Sequence, residues 1–259
     1  QIFIEDEGYD IVYMDFSLLE LFVFAYKSGE QELIEALEQG KDIHRITAGA
    51  ALRIALENVS DFNRSVGKVL NFGTLYGSEG GQVSKLEFEN PERKNKRERV
   101  GYARAKEFIF NFRNKYKKVD SYLQDVILQT LANNCVYKNE FGREKRIPEL
   151  TTSDEHKAKK LERDIMSFSI QSSAGSICVK TMNKLDSVFD QYDLTNNDVR
   201  LINTVHDSLM YGCKSYLTNW LVKTCKTVAE RPIPELYGKR FKAKIGVGKT
   251  WAEAELNAK

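Results

Sequence analysis

The strongest constraint on how this chain can fold is a carboxylate at the end of an apolar strand. Ile11-Val12-Tyr13-Met14 reads as a β-strand. Asp15 closes it, just where Phe16-Ser17-Leu18-Leu19-Glu20 turns into helical text. Burying an unpaired carboxylate there is costly, and a metal ion or a cationic partner is the usual remedy. Taken alone the segment also has a plainer reading, in which Asp15 or Ser17 simply starts the helix as its N-cap. A second carboxylate stands in Val205-His206-Asp207-Ser208, between strand text at 201–205 and 208–211. A tight hairpin would present His206 and Asp207 at its tip, although a His-Asp pair in a turn is common. Side by side, the two carboxylates would make a two-metal site, with ions about 3.5–4 Å apart that drive in-line attack on phosphorus. Oxygen ligands with few nitrogen donors favour magnesium or manganese over zinc.

Between the two carboxylates lies a run from Arg64 to Gly77 in which Arg64, Lys68, Phe72 and Tyr76 recur every fourth residue. At about 100° per residue each step drifts about 40°, so the four form a slowly turning stripe on one helix face. Its order is cation, cation, aromatic, aromatic. Cations can hold a triphosphate, and an aromatic ring beyond them can stack on a base or sugar. An amphipathic helix with a solvated basic end would instead put Lys68 and Phe72 on different faces. Gly67 and Gly73 each cost a helix about 1 kcal/mol, which points to close approach or bending.

The remaining text is α+β with more helix than strand. Helices are expected over 18–26, 33–37, 42–54, 60–76, 121–133, 153–190 and 216–229 and after Thr250. Further strands are expected at 2–4 and 241–247. With 259 residues, the chain can build one large domain or two small ones. Its net charge of +2 is too small to argue for nucleic acid, so any basic surface must be local. Residues 93–118 carry such a run, opposed only by Glu98 and Glu107, and it reads either as a solvated face or as a phosphate-contacting one. Cys135, Cys178, Cys213 and Cys225 lie far apart, with no zinc-ligand spacing, as suits reduced thiols in a cytosolic compartment. No apolar run reaches the roughly 18–20 residues that span a bilayer, and no signal peptide is visible. The chain opens at Gln1 rather than Met, so it is expected to be a fragment or the C-terminal piece of something longer.

In this order the three segments resemble the polymerase motifs of the family A DNA polymerases, the group of bacterial DNA polymerase I and many phage replicases. Asp15-Phe16-Ser17 with Glu20 is similar to the family's Asp-Tyr-Ser-x-x-Glu-Leu. The run from Arg64 to Gly77 is similar to its Arg-x3-Lys-x6-Tyr-Gly fingers helix, and His206-Asp207 to its His-Asp-Glu turn. Gly40 to His44, Gly142-Arg143 with Ile147-Pro148, Gln171, and Gly246-Val247-Gly248 with Trp251 extend the resemblance over nearly the whole chain.

The resemblance implies a template-directed DNA polymerase that adds dNMP from dNTP to a primer 3′-hydroxyl. It implies a palm, an antiparallel sheet with packed helices, at 1–20 and 153–259, and a mostly helical fingers subdomain at 21–152. Asp15, Asp207 and the backbone carbonyl of Phe16 would hold two magnesium ions, for which manganese can substitute. His44, Arg64 and Lys68 would grip the triphosphate, with Lys68 as general acid. Phe72 would pack on the sugar, Tyr76 would stand at the template base bonded to Glu20, and Glu20 would exclude a 2′-hydroxyl. Arg163, Gln171 and His206 would line the primer–template minor groove. Thumb and exonuclease would have to come from an N-terminal segment or partner chain.

Several positions depart from the family's pattern: Phe16 replaces Tyr, Phe22 an Arg, Ser208 an acid, Ser167 an Asn, and Gly67 an Ala, the last expected to loosen the fingers helix. Residues 87–100 are longer and more basic than usual. A single-subunit RNA polymerase shares the two Asp residues and the fingers helix, but Glu20 and Phe72 argue for deoxynucleotides. Two further readings are a non-autonomous subunit that needs an N-terminal partner chain and a catalytically dead homologue.

Overall fold

A computed structural model describes residues 4–76, 81 and 83–259. Ile2, Phe3 and Gly77, which carry part of the strand and motif readings above, lie outside them. In chain order the elements are β1 (Tyr9–Phe16), α1 (Leu19–Ser28), α2 (Gln31–Glu38), α3 (Ile43–Leu52), α4 (Asp61–Leu75), β2 (Glu87–Asn90), β3 (Lys96–Arg99), α5 (Tyr102–Lys115) and α6 (Lys117–Ala132). There follow β4 (Val136–Lys138), β5 (Glu144–Arg146), α7 (Glu155–Gln191), β6 (Val199–Val205), β7 (Ser208–Lys214), α8 (Thr218–Ala229), β8 (Ala243–Gly248) and α9 (Trp251–Leu256). The chain divides into two compact units, Gln1–Glu20 with Gln171–Lys259, and Leu21–Ile170. The second division falls inside the unbroken helix α7.

The first unit is built on a four-stranded antiparallel sheet in the order β6-β7-β1-β8. Ile11, Val12, Tyr13 and Met14 are all buried, so both faces of β1 are covered. Successive side chains of a strand point to opposite faces. Ile11 and Tyr13 pack with Met210 and Ala254 of α9 on one face, and α8 packs against β1, β7 and β8. Gly246 and Gly248 explain the closeness of α9. A Cβ at Gly246 would collide with the Ala254 carbonyl, and one at Gly248 would lie 2.6 Å from the Ala254 nitrogen. Thr250 caps α9 by accepting from the Glu253 N–H. Phe189 stacks edge-on against Tyr211 and meets Trp220, tying the end of α7 to β7 and α8.

The second unit is mostly helical. Asp42 caps α3 by accepting from the Arg45 N–H, and Ser60 caps α4 by accepting from Asn63. These two helices pack so closely that a Cβ on Gly67 would run into the His44 carbonyl and come within 2.8 Å of the Ala48 nitrogen. The close approach expected at Gly67 is thus present, because the missing methyl lets α3 dock on α4. A core of Ala51, Val66, Leu70, Phe88, Ala105 and Phe108 joins α3, α4, β2 and α5. The hairpin of β2 and β3 is not visible in the sequence pattern. β3 is Lys-Arg-Glu-Arg, without one apolar side chain, and its strand character comes from pairing with β2. Asn63 secures that partner, its side chain bonding both the carbonyl and the N–H of Glu89 (2.8 and 2.7 Å). Elsewhere in this unit Lys27 is held in a polar knot, donating to Tyr137 Oη, Glu140 Oε2 and the Ser169 carbonyl. Among the described residues no helix is long and apolar enough to cross a membrane.

Candidate active site

The two carboxylates meet in the first unit. Asp15, the last but one residue of β1, lies directly opposite Ser208, the first residue of β7. The Phe16 N–H points at the Asp207 carbonyl (3.4 Å), so Asp207 stands one turn residue away from Asp15. Val205 and Ser208 pair across a two-residue turn in which His206 takes a positive φ of 55°. Leu18, in the turn after Asp15, has a φ of 56°. A side chain in this region costs roughly 1–2 kcal/mol, and such strain persists where the surroundings over-determine it. The Ser208 hydroxyl donates to the Val205 carbonyl (2.8 Å) and braces the turn.

The electrostatics of the pair are unfavourable as they stand. Burial, then the charge of Asp207, pushes the Asp15 carboxyl up to about 6. Lys244, opposite Asp15 across the β1–β8 ladder, opposes that shift. Burial likewise raises Asp207, against its own backbone N–H and His206. The excess of negative charge reaches further out: burial, Asp207 and Asp15 together hold the Cys178 thiol up at about 11. A bound cation would offset these costs directly.

Among the described residues no three His, Cys, Asp or Glu side chains cluster as a metal cage. Magnesium keeps several waters and binds through one or two carboxylates plus substrate phosphates. Asp15, Asp207 and the carbonyl of Phe16 are donors of that kind.

The second unit gathers the cationic stripe. Arg64 is half-buried and donates from Nε to Asp42 Oδ2 (2.7 Å). Burial works against the Asp42 charge, yet Arg64 and the Arg45 N–H more than offset it and hold the carboxyl below its usual range. Lys68 is exposed, while Phe72 and Tyr76 are partly buried and stacked, with centroids 6.2 Å apart. His44 lies beside Phe72 (6.0 Å) at only 3% exposure. Its pKa falls to about 4 through burial, then through the cations Arg64 and Lys68, with Asp42 opposing.

The sequence pattern does not single out Asn71, which is fully buried three residues beyond Lys68 and sits with Nδ2 2.9 Å from His44 Nδ1. Nor does it show Asp42 as the partner of Arg64, or Lys244, which only strand pairing brings to Asp15. Glu20 is half-buried in the first turn of α1, Arg163 is half-buried on α7, and Gln171 and His206 are exposed.

Sheet, paired carboxylates and helical second unit together make a polymerase-domain fold. The chain superposes with a TM-score of 0.81 on the structure of the POL domain of Pol1 from M. smegmatis in complex with DNA primer-template and dNTP. Identity is 23%, over 97% of this chain and 42% of that one.

The sequence model for DNA polymerase family A matches residues 1–253, and the chain belongs to that family. Thermostable DNA polymerase I of Thermus aquaticus is 26% identical over 253 residues, covering 98% of this chain and 28% of that protein. DNA polymerase I of Pseudomonas aeruginosa is 26% identical over 98% of this chain and 26% of its own length. The chain thus spans little more than a quarter of the curated relatives it matches.

Proposed function

We propose that this chain supplies the palm and fingers of a DNA-directed DNA polymerase, adding dNMP from dNTP to a primer 3′-hydroxyl and releasing pyrophosphate. The observation that carries the reading is the convergence of Asp15 and Asp207 at adjacent turns of one sheet, each with its charged form penalised. Two magnesium ions, replaceable by manganese and held by Asp15, Asp207 and the Phe16 carbonyl, would acidify the 3′-hydroxyl and stabilise charge on the leaving pyrophosphate.

The side chains do the binding and the positioning. Arg64 and Lys68 grip the triphosphate, which competes with Asp42 for the Arg64 guanidinium. Lys68, whose ammonium is exposed, delivers a proton to the departing pyrophosphate. His44 donates to the triphosphate, and Phe72 packs against the sugar. Tyr76 stands at the template base with Glu20, and Glu20 blocks a 2′-hydroxyl. Arg163, Gln171 and His206 contact the primer–template minor groove. An N-terminal segment or chain supplies thumb and exonuclease, a part of the reading that the relatives' much greater length supports. The working compartment is the cytoplasm.

Sugar selection tests the reading against an RNA polymerase. In primer extension the wild type should strongly prefer dNTPs, and Glu20→Ala should incorporate ribonucleotides far better. Equal use of both sugars by the wild type would remove Glu20 from the gate and favour the RNA polymerase. Phe72→Tyr should raise sensitivity to chain-terminating dideoxynucleotides; equal sensitivity in the two proteins would remove Phe72 from the sugar.

A further inference from the structure

Asn71 belongs to no motif used above, yet it is fully buried between α3 and α4 and both ends of its amide are engaged. Its Oδ1 accepts from the Thr47 hydroxyl (2.9 Å). Its Nδ2 lies 2.9 Å from His44 Nδ1. Thr47 and His44 sit one turn apart on α3, so a single side chain of α4 clamps both.

An amide NH2 can only donate, so the ring nitrogen facing it must accept. With burial and the cations Arg64 and Lys68 keeping the ring neutral, His44 carries one proton, and that proton belongs on Nε2. Exposed by only 3%, the ring has little surface to offer, so a ligand contact has to be made by one atom. A ring protonated on Nδ1 would turn a bare lone pair toward an anion, and the contact would be repulsive.

We propose that Asn71 is a positioning residue that locks His44 as the Nε2–H tautomer, its Nδ2 facing the ring and its Oδ1 the Thr47 hydroxyl, so that the ring donates to the anion held by Arg64 and Lys68. The lock follows from an amide whose Nδ2 faces the ring; its ligand rests on the nucleotide reading given under Proposed function. The same arrangement accounts for Gly67. Without a Cβ there, α3 comes close enough for Asn71 to span the two helices.

The test is 15N NMR of the full chain labelled at histidine. Only three rings are present, His44, His156 and His206, and His156→Gln and His206→Gln variants assign them. The free protein should show His44 with an unprotonated Nδ1 and a protonated Nε2. Asn71→Asp sets an accepting carboxylate against Nδ1, so it should place a proton there. The milder Thr47→Val should mix the tautomers and raise the KM for dNTP by about tenfold, the scale of one hydrogen bond to a charged group. Adding dATP with magnesium to the wild type should shift the Nε2 resonance. A His44 protonated on Nδ1 in the wild type, or a tautomer that Asn71→Asp leaves unchanged, overturns the lock. An Nε2–H ring that dATP leaves unmoved refutes the nucleotide reading of the site, and the donor role with it.

Discussion

Asp15 carries opposite consequences for stability and for catalysis. In the folded chain its pKa stands at about 6, above the ordinary value of 3.8, because of burial and Asp207. Below about pH 4 the group is neutral in both folded and unfolded states and costs nothing. Between there and about 6 the folded state holds a proton that the unfolded state has released, so stability falls as pH rises. Above about 6 the full cost stands. Asp15→Asn should therefore stabilise the metal-free protein by about 1–3 kcal/mol at pH 7.5, an advantage that fades toward pH 4. Denaturant unfolding with a chelator present would measure it, and a pH-independent difference would contradict the account. Magnesium should raise the melting temperature of the wild type above pH 6 and leave that of Asp15→Asn nearly unchanged. At this scale the carboxylates, the cations and the aromatic stripe were legible, because each is a residue type at a fixed spacing. Asn71, Asp42 and Lys244 were not, since their partners lie 27, 22 and 229 residues away and only folding brings them together.

The pairing of α3 with α4 is the element on which the cationic stripe depends. Gly67→Ala should push the helices apart against the His44 carbonyl and the Ala48 nitrogen. Overpacking of this kind costs about 1–3 kcal/mol, so thermal unfolding should shift downward. The KM for dNTP should rise with it, since His44 rides on α3. An Ala variant of unchanged stability and KM would show that the close approach has slack.

Most helices were visible from spacing, and Asp42 and Ser60 cap α3 and α4 at the starts of the expected ranges. The 37-residue α7 runs unbroken from Glu155 to Gln191. The paired hairpins were invisible for a physical reason. β3 has four charged side chains in succession, and β5 is Glu-Lys-Arg, so neither shows the alternation by which strands are recognised. Their geometry comes instead from Asn63 gripping β2, and from Asn139 accepting the N–H groups of Phe141 and Arg143 within the β4–β5 turn.

At the scale of the molecule, a polymerase needs more than a metal site and a triphosphate grip; it must hold duplex DNA while the two act together. The net charge of +2 gives no long-range attraction of consequence. On the proposed function, affinity for primer–template must then come from local contacts. Primer extension decides whether Asp207 and Asp15 are the chemical centre of a DNA polymerase. The wild type and Asp207→Ala would be compared in magnesium, each with and without any upstream polypeptide. The account predicts dNMP incorporation by the wild type, stronger with the upstream polypeptide, and a loss of at least about 10³-fold in Asp207→Ala under every condition. Incorporation by Asp207→Ala at the wild-type rate would contradict it.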